Sequence, residues 1–206
     1  MSAREEILAS VRRALADADT PWPTVPRGYR SPDTPADRAA LVDLFVERVE
    51  DYRAIVTRCG PDEVSVHVTH ALTTAGATRI VVPDGLDWQI DGAGADTGQS
   101  AAQLDEMDAV VTGASVAIAS TGTIVLSHGP GQGRRALTLV PDVHVCVVRE
   151  AQVCGDVPEA VALLDPVSPQ TWISGPSATS DIELQRVEGV HGPRTLHVLV
   201  VGEDVG

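Results

Sequence analysis

The chain contains no lysine; all 15 of its basic residues are arginine. A Schiff-base nucleophile, a pyridoxal phosphate anchor and a Walker A phosphate loop each require a lysine, so all three chemistries are excluded. Positive charge is scarce altogether. Against 29 acidic residues the formal net charge is −14, which opposes binding to nucleic acid and to anionic membrane surfaces. Cysteine is limited to Cys59, Cys146 and Cys154, without C-x-x-C spacing, and the six histidines include no H-E-x-x-H. Neither a zinc nor an iron–sulfur motif is present, and no metal or other cofactor is expected. Aromatic residues are only 3% of the chain, so a core must be built from Val, Leu, Ile and Ala. No apolar run reaches membrane-spanning length, and Met1-Ser2-Ala3-Arg4-Glu5-Glu6 is too polar for a secretory signal. A cytoplasmic location without membrane insertion is expected.

What remains is ordinary for a globular protein: 206 residues, 43% hydrophobic, enough for one full core. Ser2 to Ala16 has helical periodicity, with Ile7, Leu8, Val11 and Leu15 on one face and Ser2 and Glu5 in capping-box spacing. Pro21, Pro23, Pro26, Pro32 and Pro35 then forbid regular structure. The division expected is a helix on a Pro-rich arm over residues 1–36 and an α/β domain over 37–206. In that domain Asp37–Glu50 is a helix with Leu41, Leu44, Phe45 and Val49 inward, and Tyr52–Thr57 a strand. A helix opening at Gly60-Pro61 carries Val64, Val68 and Leu72 inward and stops at Gly76. Thr78–Val82 is a strand, Asp84–Gln99 a loop, and Val157–Leu164 a helix. His67 and His70 share a helix face, but with no carboxylate partner they fit a surface position. Alternating helices and short buried strands indicate a mainly parallel sheet flanked by helices. Its central strands are expected from Val116–Ala119, Thr123–Leu126, Val143–Val148, Thr171–Ser174 and Thr195–Val201.

Two glycine loops carry the chemistry. The first, Gly129 to Gly133, follows Ser127-His128 and leads into Arg134-Arg135. Glycines at alternate positions let a backbone approach a ligand and turn its N–H groups toward it, and arginines grip carboxylate or phosphate. By itself the stretch fits equally a flexible loop with two solvated arginines. The second loop, Ser174-Gly175-Pro176-Ser177, ends with Ser180 and Glu183 in capping-box spacing, the start of a helix whose N–H groups suit an anion. A simple capped turn fits this segment too. Together with the Thr121-Gly122-Thr123 turn, these loops are expected to converge on one anion pocket beyond the strand ends. Its residues would be Thr121, Gly122, Thr123, Gly129, Gly131, Gly133, Arg134, Arg135, Ser174, Gly175, Ser177 and Ser180. Ser177 does not lie in G-x-S-x-G, and Arg134 occupies the place of the last glycine in G-x-G-x-x-G, so neither a nucleophile elbow nor a dinucleotide fingerprint is present.

The segments Val111–Leu126, Gly129–Val148, Thr171–Glu183 and Gly189–Val201 resemble the lactate-utilisation protein C family, also called the LUD domain. The resemblance covers roughly the C-terminal half of the chain. It implies a fold similar to CoA transferases and ribose-phosphate isomerases. It also implies a role in oxidising L-lactate to pyruvate beside partner proteins that carry the iron–sulfur clusters. The family pattern has an acidic residue before T-G-T; here that position is Ser120. No catalytic residue carries over. Three functions follow: an accessory component of a lactate-oxidising system, a stand-alone CoA-transferase-like or sugar-phosphate enzyme, or a ligand-sensing module.

The N-terminal helix has an apolar stripe to bury and five prolines between it and the next helix. Deleting residues 1–20 is expected to leave the remainder folded, by circular dichroism and thermal melting, while changing oligomeric state or partner binding. Loss of the whole melting transition would show the helix to be core.

Overall fold

The computed structural model describes residues 2–16, 24, 37–179, 187–188 and 192–202, with the backbone alone at 178–179 and 187–188. The expected Pro-rich arm and the Ser180–Glu183 cap lie outside these residues. Residues 1–30 and 31–206 form two compact units. In the first, α1 (Ala3–Ala14) begins with the predicted capping box: Ser2 Oγ accepts from Glu5 N at 3.3 Å and Glu5 Oε2 accepts from Ser2 N at 2.7 Å. No residue of α1 is buried, and Ile7, Val11 and Leu15 are exposed.

The second unit opens with α2 (Arg38–Asp51), capped by Asp37, then β1 (Ile55–Cys59), α3 (Val64–Thr74), β2 (Ile80–Val82) and β3 (Ala93–Ala95). It continues through α4 (Ala101–Asp105), β4 (Ala109–Gly113), β5 (Val116–Ile118), β6 (Thr123–Leu126), β7 (Val143–Arg149) and β8 (Val153–Cys154). Last come α5 (Val157–Leu163), β9 (Thr171–Ile173), the paired β10 (Ala178–Thr179) and β11 (Val187–Glu188), and β12 (Thr195–Val201). Six strands make a wholly parallel sheet in the order β1-β12-β7-β4-β2-β3, flanked by helices, as the alternating pattern predicts.

The choice of central strands needs correction. Val116–Ile118, Thr123–Leu126 and Thr171–Ile173 are not in the parallel sheet but in a second, four-stranded sheet of order β8-β5-β6-β9. The physical reason is connection length. A parallel pair needs a crossover of a dozen residues or more, and the short link between β5 and β6 permits only an antiparallel pair. The place in the parallel sheet goes instead to β4, an apolar run that the turn-centred pattern passes over. Within the expected 84–99 loop sits the edge strand β3, and β1 starts three residues later than expected, after Arg53 turns through φ 67°.

Side chains alternate across the parallel sheet. On one face Cys146, Val148, Val198 and Val200 pack with Val42, Phe45 and Val49 of α2 and with Ala117, Ile124 and Leu126 of the second sheet. On the other, Cys59, Val111, Val145, Val147 and Leu199 pack against Val64, Val68 and Leu72 of α3. A third cluster joins Val116, Ile118, Val125 and Cys154 to Ala160 of α5. The inward face of α2 therefore includes Val42, while Leu41 and Leu44 are only partly buried. Arg38 ties α2 to the second sheet through Val153 O at 2.6 Å. Asp108 accepts from the backbone N–H groups of Thr78 and Arg79 and from the Arg79 side chain, which holds its carboxyl well below the usual range.

Phe45 is the chain's single phenylalanine and is fully buried between the two sheets. Phe45→Ala is expected to cost about 3–5 kcal/mol through lost burial and the cavity it leaves. Urea unfolding of the two proteins measures this directly.

Candidate functional site

The structure brings the predicted site residues to three places rather than one. Thr121, Gly122 and Thr123 form the turn at the start of β6, and Ser174 lies beside them. Thr123 Oγ1 is 2.8 Å from both Thr121 Oγ1 and Ser174 Oγ. This hydroxyl cluster sits on the end of α2. Gly122 has φ 57°, and a Cβ there would stand 2.7 Å from the Arg48 carbonyl carbon. Gly175 is as close to Tyr52, where an added Cβ would stand 2.6 Å from Cβ. The turn needs glycine because a helix backbone lies against it, and no ligand is required to explain it.

The Gly129–Gly133 loop leaves the opposite end of β6 and lies across the C-terminal ends of β2 and β4. Gly131 N donates to Asp84 O and Gly131 O accepts from Gly113 N, both at 2.7 Å. Gln132 N and Gly133 N both donate to Gly129 O. The Gln132 side-chain oxygen accepts from Ser127 N at 2.6 Å and from Ser115 Oγ at 2.9 Å. The N–H groups expected to face a ligand at 131–133 are thus occupied by the protein, because the loop crosses strand ends whose own backbone groups need partners. Arg134 is likewise engaged. Its Nε and a terminal nitrogen both reach Asp96 at 2.9 Å, and Gln99 O accepts from it at 2.7 Å. This bidentate pair holds the Asp96 carboxyl below its ordinary range. Nearby His128, at φ 57°, reaches Thr171 Oγ1 through Nε2 at 2.7 Å.

Arg135 belongs to a third group. It opens the 3-10 turn Arg135–Thr138, and one of its terminal nitrogens donates to Thr138 O at 3.0 Å and Thr138 Oγ1 at 3.2 Å. Among the described residues no carboxylate pairs with it. Ser177 lies close by: a Cβ on Gly192 would stand 3.6 Å from Ser177 Cβ and 3.9 Å from Thr138 O, and Ser177 N donates to Pro193 O at 2.8 Å. Ser180 lies outside the described residues. Of the expected constellation, the structure joins the threonine turn with Ser174 and Gly175, while Arg135 bonds Thr138 and Ser177 lies beside Gly192.

One participant was hidden in an apolar run. His144 of β7 is 1% exposed and its Nε2 is 2.7 Å from Thr112 Oγ1. Thr112 Oγ1 is 3.7 Å from Cys146 Sγ, which is 3.7 Å from Gly113 O. The carbonyl can only accept. The donor sequence that satisfies every hydrogen runs from His144 Nε2–H through Thr112 and Cys146 to Gly113 O, and it leaves Nδ1 with a lone pair. Burial first, and then the charge of Arg135, lowers the His144 pKa to about 4. Burial pushes the Cys146 thiol up to about 12. The group thus combines a cation lacking an acid partner with a neutral buried base. The sequence signal for it was a lone polar residue in the run Val143–Val148. Asp96, far from Arg134 in sequence, left none.

In the unfolded chain His144 takes a proton near pH 6.5, and in the folded chain only near 4. Between these values the unfolded state binds more protons, so stability falls as pH drops from about 6.5 toward 4, by on the order of 2–3 kcal/mol. Chemical denaturation across this window is expected to show a shallower pH slope for His144→Gln than for the wild type.

Residues 36–201 match the LUD domain family. A lactate utilization protein C of Deinococcus radiodurans is 45% identical, over 97% of this chain and 96% of that protein. A lactate utilization protein C of Bacillus pumilus is 37% identical over 42% of this chain and 39% of its own length. A crystal structure of a DUF162 family protein from Deinococcus radiodurans superposes with a TM-score of 0.70 at 41% identity, covering 82% of this chain and all of that one. On the match over residues 36–201 and the relative 45% identical across nearly its whole length, the chain belongs to the LUD domain family.

Proposed function

We propose that this chain is a lactate utilisation protein, an accessory component of a cytoplasmic system that oxidises L-lactate to pyruvate. The observation that carries the reading is the 45% identity to a lactate utilization protein C across nearly the whole of both chains. In this reading iron–sulfur proteins are the partners and carry the electrons. The α/β domain is of the CoA-transferase-like type that the family resemblance implies, and the exposed stripe of α1 is the surface for a partner or a second copy. Among the described residues no helix is long and apolar enough to cross a membrane. Nor do three or more His, Cys, Asp or Glu side chains there gather as metal ligands.

The ligand of this reading is a small anion held at Arg135. In a chain of net charge −14, an anion needs a local cation that no carboxylate already neutralises. Arg134 fails that condition through Asp96, and Arg135 meets it. In this reading Ser177 would supply a hydroxyl partner.

Two measurements test the reading. A strain lacking the gene is expected to lose growth on lactate as sole carbon source and to keep growth on pyruvate; equal growth on both would end the lactate assignment. Calorimetric titration with lactate, a sugar phosphate and CoA is expected to find one that binds. Arg135→Ala should then weaken it about ten- to a hundredfold, the value of a charge-assisted hydrogen bond. Arg134→Ala should weaken it much less. Equal binding by wild type and Arg135→Ala would remove Arg135 from the site.

A further inference from the structure

The face of the parallel sheet that carries α3 holds a cavity whose described lining includes neither Arg135 nor any residue of the two glycine loops. It has a volume of about 430 Å³ and opens where β1, β7 and β12 begin. Its polar lining is His70 and Thr74 from α3, Thr57 from β1, and Thr195 and His197 from β12. Its apolar lining is Ile55, Ala71, Ala75 and Val143. His67, His70, Ala71 and Thr74 share one stripe of α3 at i, i+3, i+4 and i+7. Thr57 Oγ1 is 2.8 Å from His197 Nε2, which fixes the ring and leaves His197 Nδ1 without a partner among the described residues.

Among the described residues no carboxylate lines this cavity. The adjoining hollow, which shares Ala75 and Val143 with it, is lined by Asp105, Asp108 and Asp142, of which Asp108 is paired with Arg79. The titratable groups around the cavity itself are His67 and His70 from α3 and His197 from β12; β1 presents Thr57, and β7 presents Val143. Just before β7 and β12, Asp142 and Arg194 neutralise each other in a bidentate pair. The neighbouring α3 carbonyls are capped by the N–H groups of Ala75, Gly76 and Ala77, so they do not repel an anion strongly. The histidines do oppose one another. Burial, then His70 and His67, lower the pKa of His197. A bound negative charge would relieve that opposition.

We propose that this cavity binds a short-chain monocarboxylate, with its carboxylate on His70, His197 and the threonine hydroxyls and its alkyl chain against Ile55, Ala71 and Val143. A metal ion does not fit, because no three ligating side chains among the described residues gather here. Inorganic phosphate would satisfy the polar groups and leave the alkyl wall unused, so chain length distinguishes the two classes. Because burial and the neighbouring histidines disfavour the charged form of His197 and a bound carboxylate favours it, affinity rises as pH falls.

The test is NMR of side-chain histidine resonances in the whole protein, titrated from pH 7.5 to 5.5 with acetate, butyrate or inorganic phosphate at millimolar concentration. Butyrate is expected to shift the His70 and His197 resonances and to raise the titration midpoint of His197, leaving the His128 and His144 resonances in place. Each added methylene should tighten binding about threefold. His70→Gln, at an exposed position, should melt as the wild type does and lose at least about fivefold in butyrate affinity, followed at His197. Unmoved His70 and His197 resonances, binding by phosphate equal to butyrate, or unchanged affinity in His70→Gln would each overturn the proposal. None of these outcomes depends on growth on lactate or on binding at Arg135.

Discussion

Two sheets share one apolar layer, and most of the molecule's architecture depends on that sharing. Helix α2 supplies the layer's densest part: Val42, Phe45 and Val49 touch residues of both the parallel sheet and the smaller sheet. With so few aromatics, a single phenylalanine is packed among valine, alanine, isoleucine and leucine side chains. The hydroxyl turn at Thr121–Thr123 and the Ser174-Gly175 corner both close on the end of this helix. The second sheet is thereby held at the height that lets the Gly129–Gly133 loop reach the strand ends of the first. A change in the position of α2 would therefore be felt at the threonine turn, the Ser174-Gly175 corner and the glycine loop together.

The parallel α/β character was legible because it rests on local pattern: helical stripes in α2 and α3, and β-branched runs between glycines and prolines. Val64, Val68 and Leu72 were readable as a buried face for the same reason. Sheet membership was not, since the same apolar run suits either sheet and only the length of each connection decides. For the β5–β6 link that information was present, and it argues against a shared parallel sheet. The capping box of α1 was legible because it involves neighbours three residues apart. The Arg134–Asp96 pair was not, because its partners meet only through the packing of β3 beside β2 and the crossing of the glycine loop.

Glycine-rich motifs mislead in a related way. A glycine permits close approach, but it does not say whose atoms approach. At Gly122 the neighbour is a helix backbone, and at Gly131 it is the turn after β2, where an added Cβ would stand 3.0 Å from Gly85 O. Both are contacts between parts of the same chain. The arginines divide by the same rule. Arg58, Arg79, Arg134, Arg149 and Arg194 each face a carboxylate and join segments distant in sequence, whereas Arg38 and Arg135 bond no carboxylate among the described residues.

The three thiols are distributed one to each principal packed layer: Cys59 beneath α3, Cys146 between the sheets, and Cys154 beneath α5. All are free and buried. Burial raises the pKa of each, to about 12 for Cys146 and about 11 for Cys154, so in the closed molecule the reactive thiolate is scarce as well as shielded. The molecule thus carries its own set of reporters. A thiol reagent reaches each layer only when that layer opens, so the order in which the cysteines are modified gives the order in which the layers come apart.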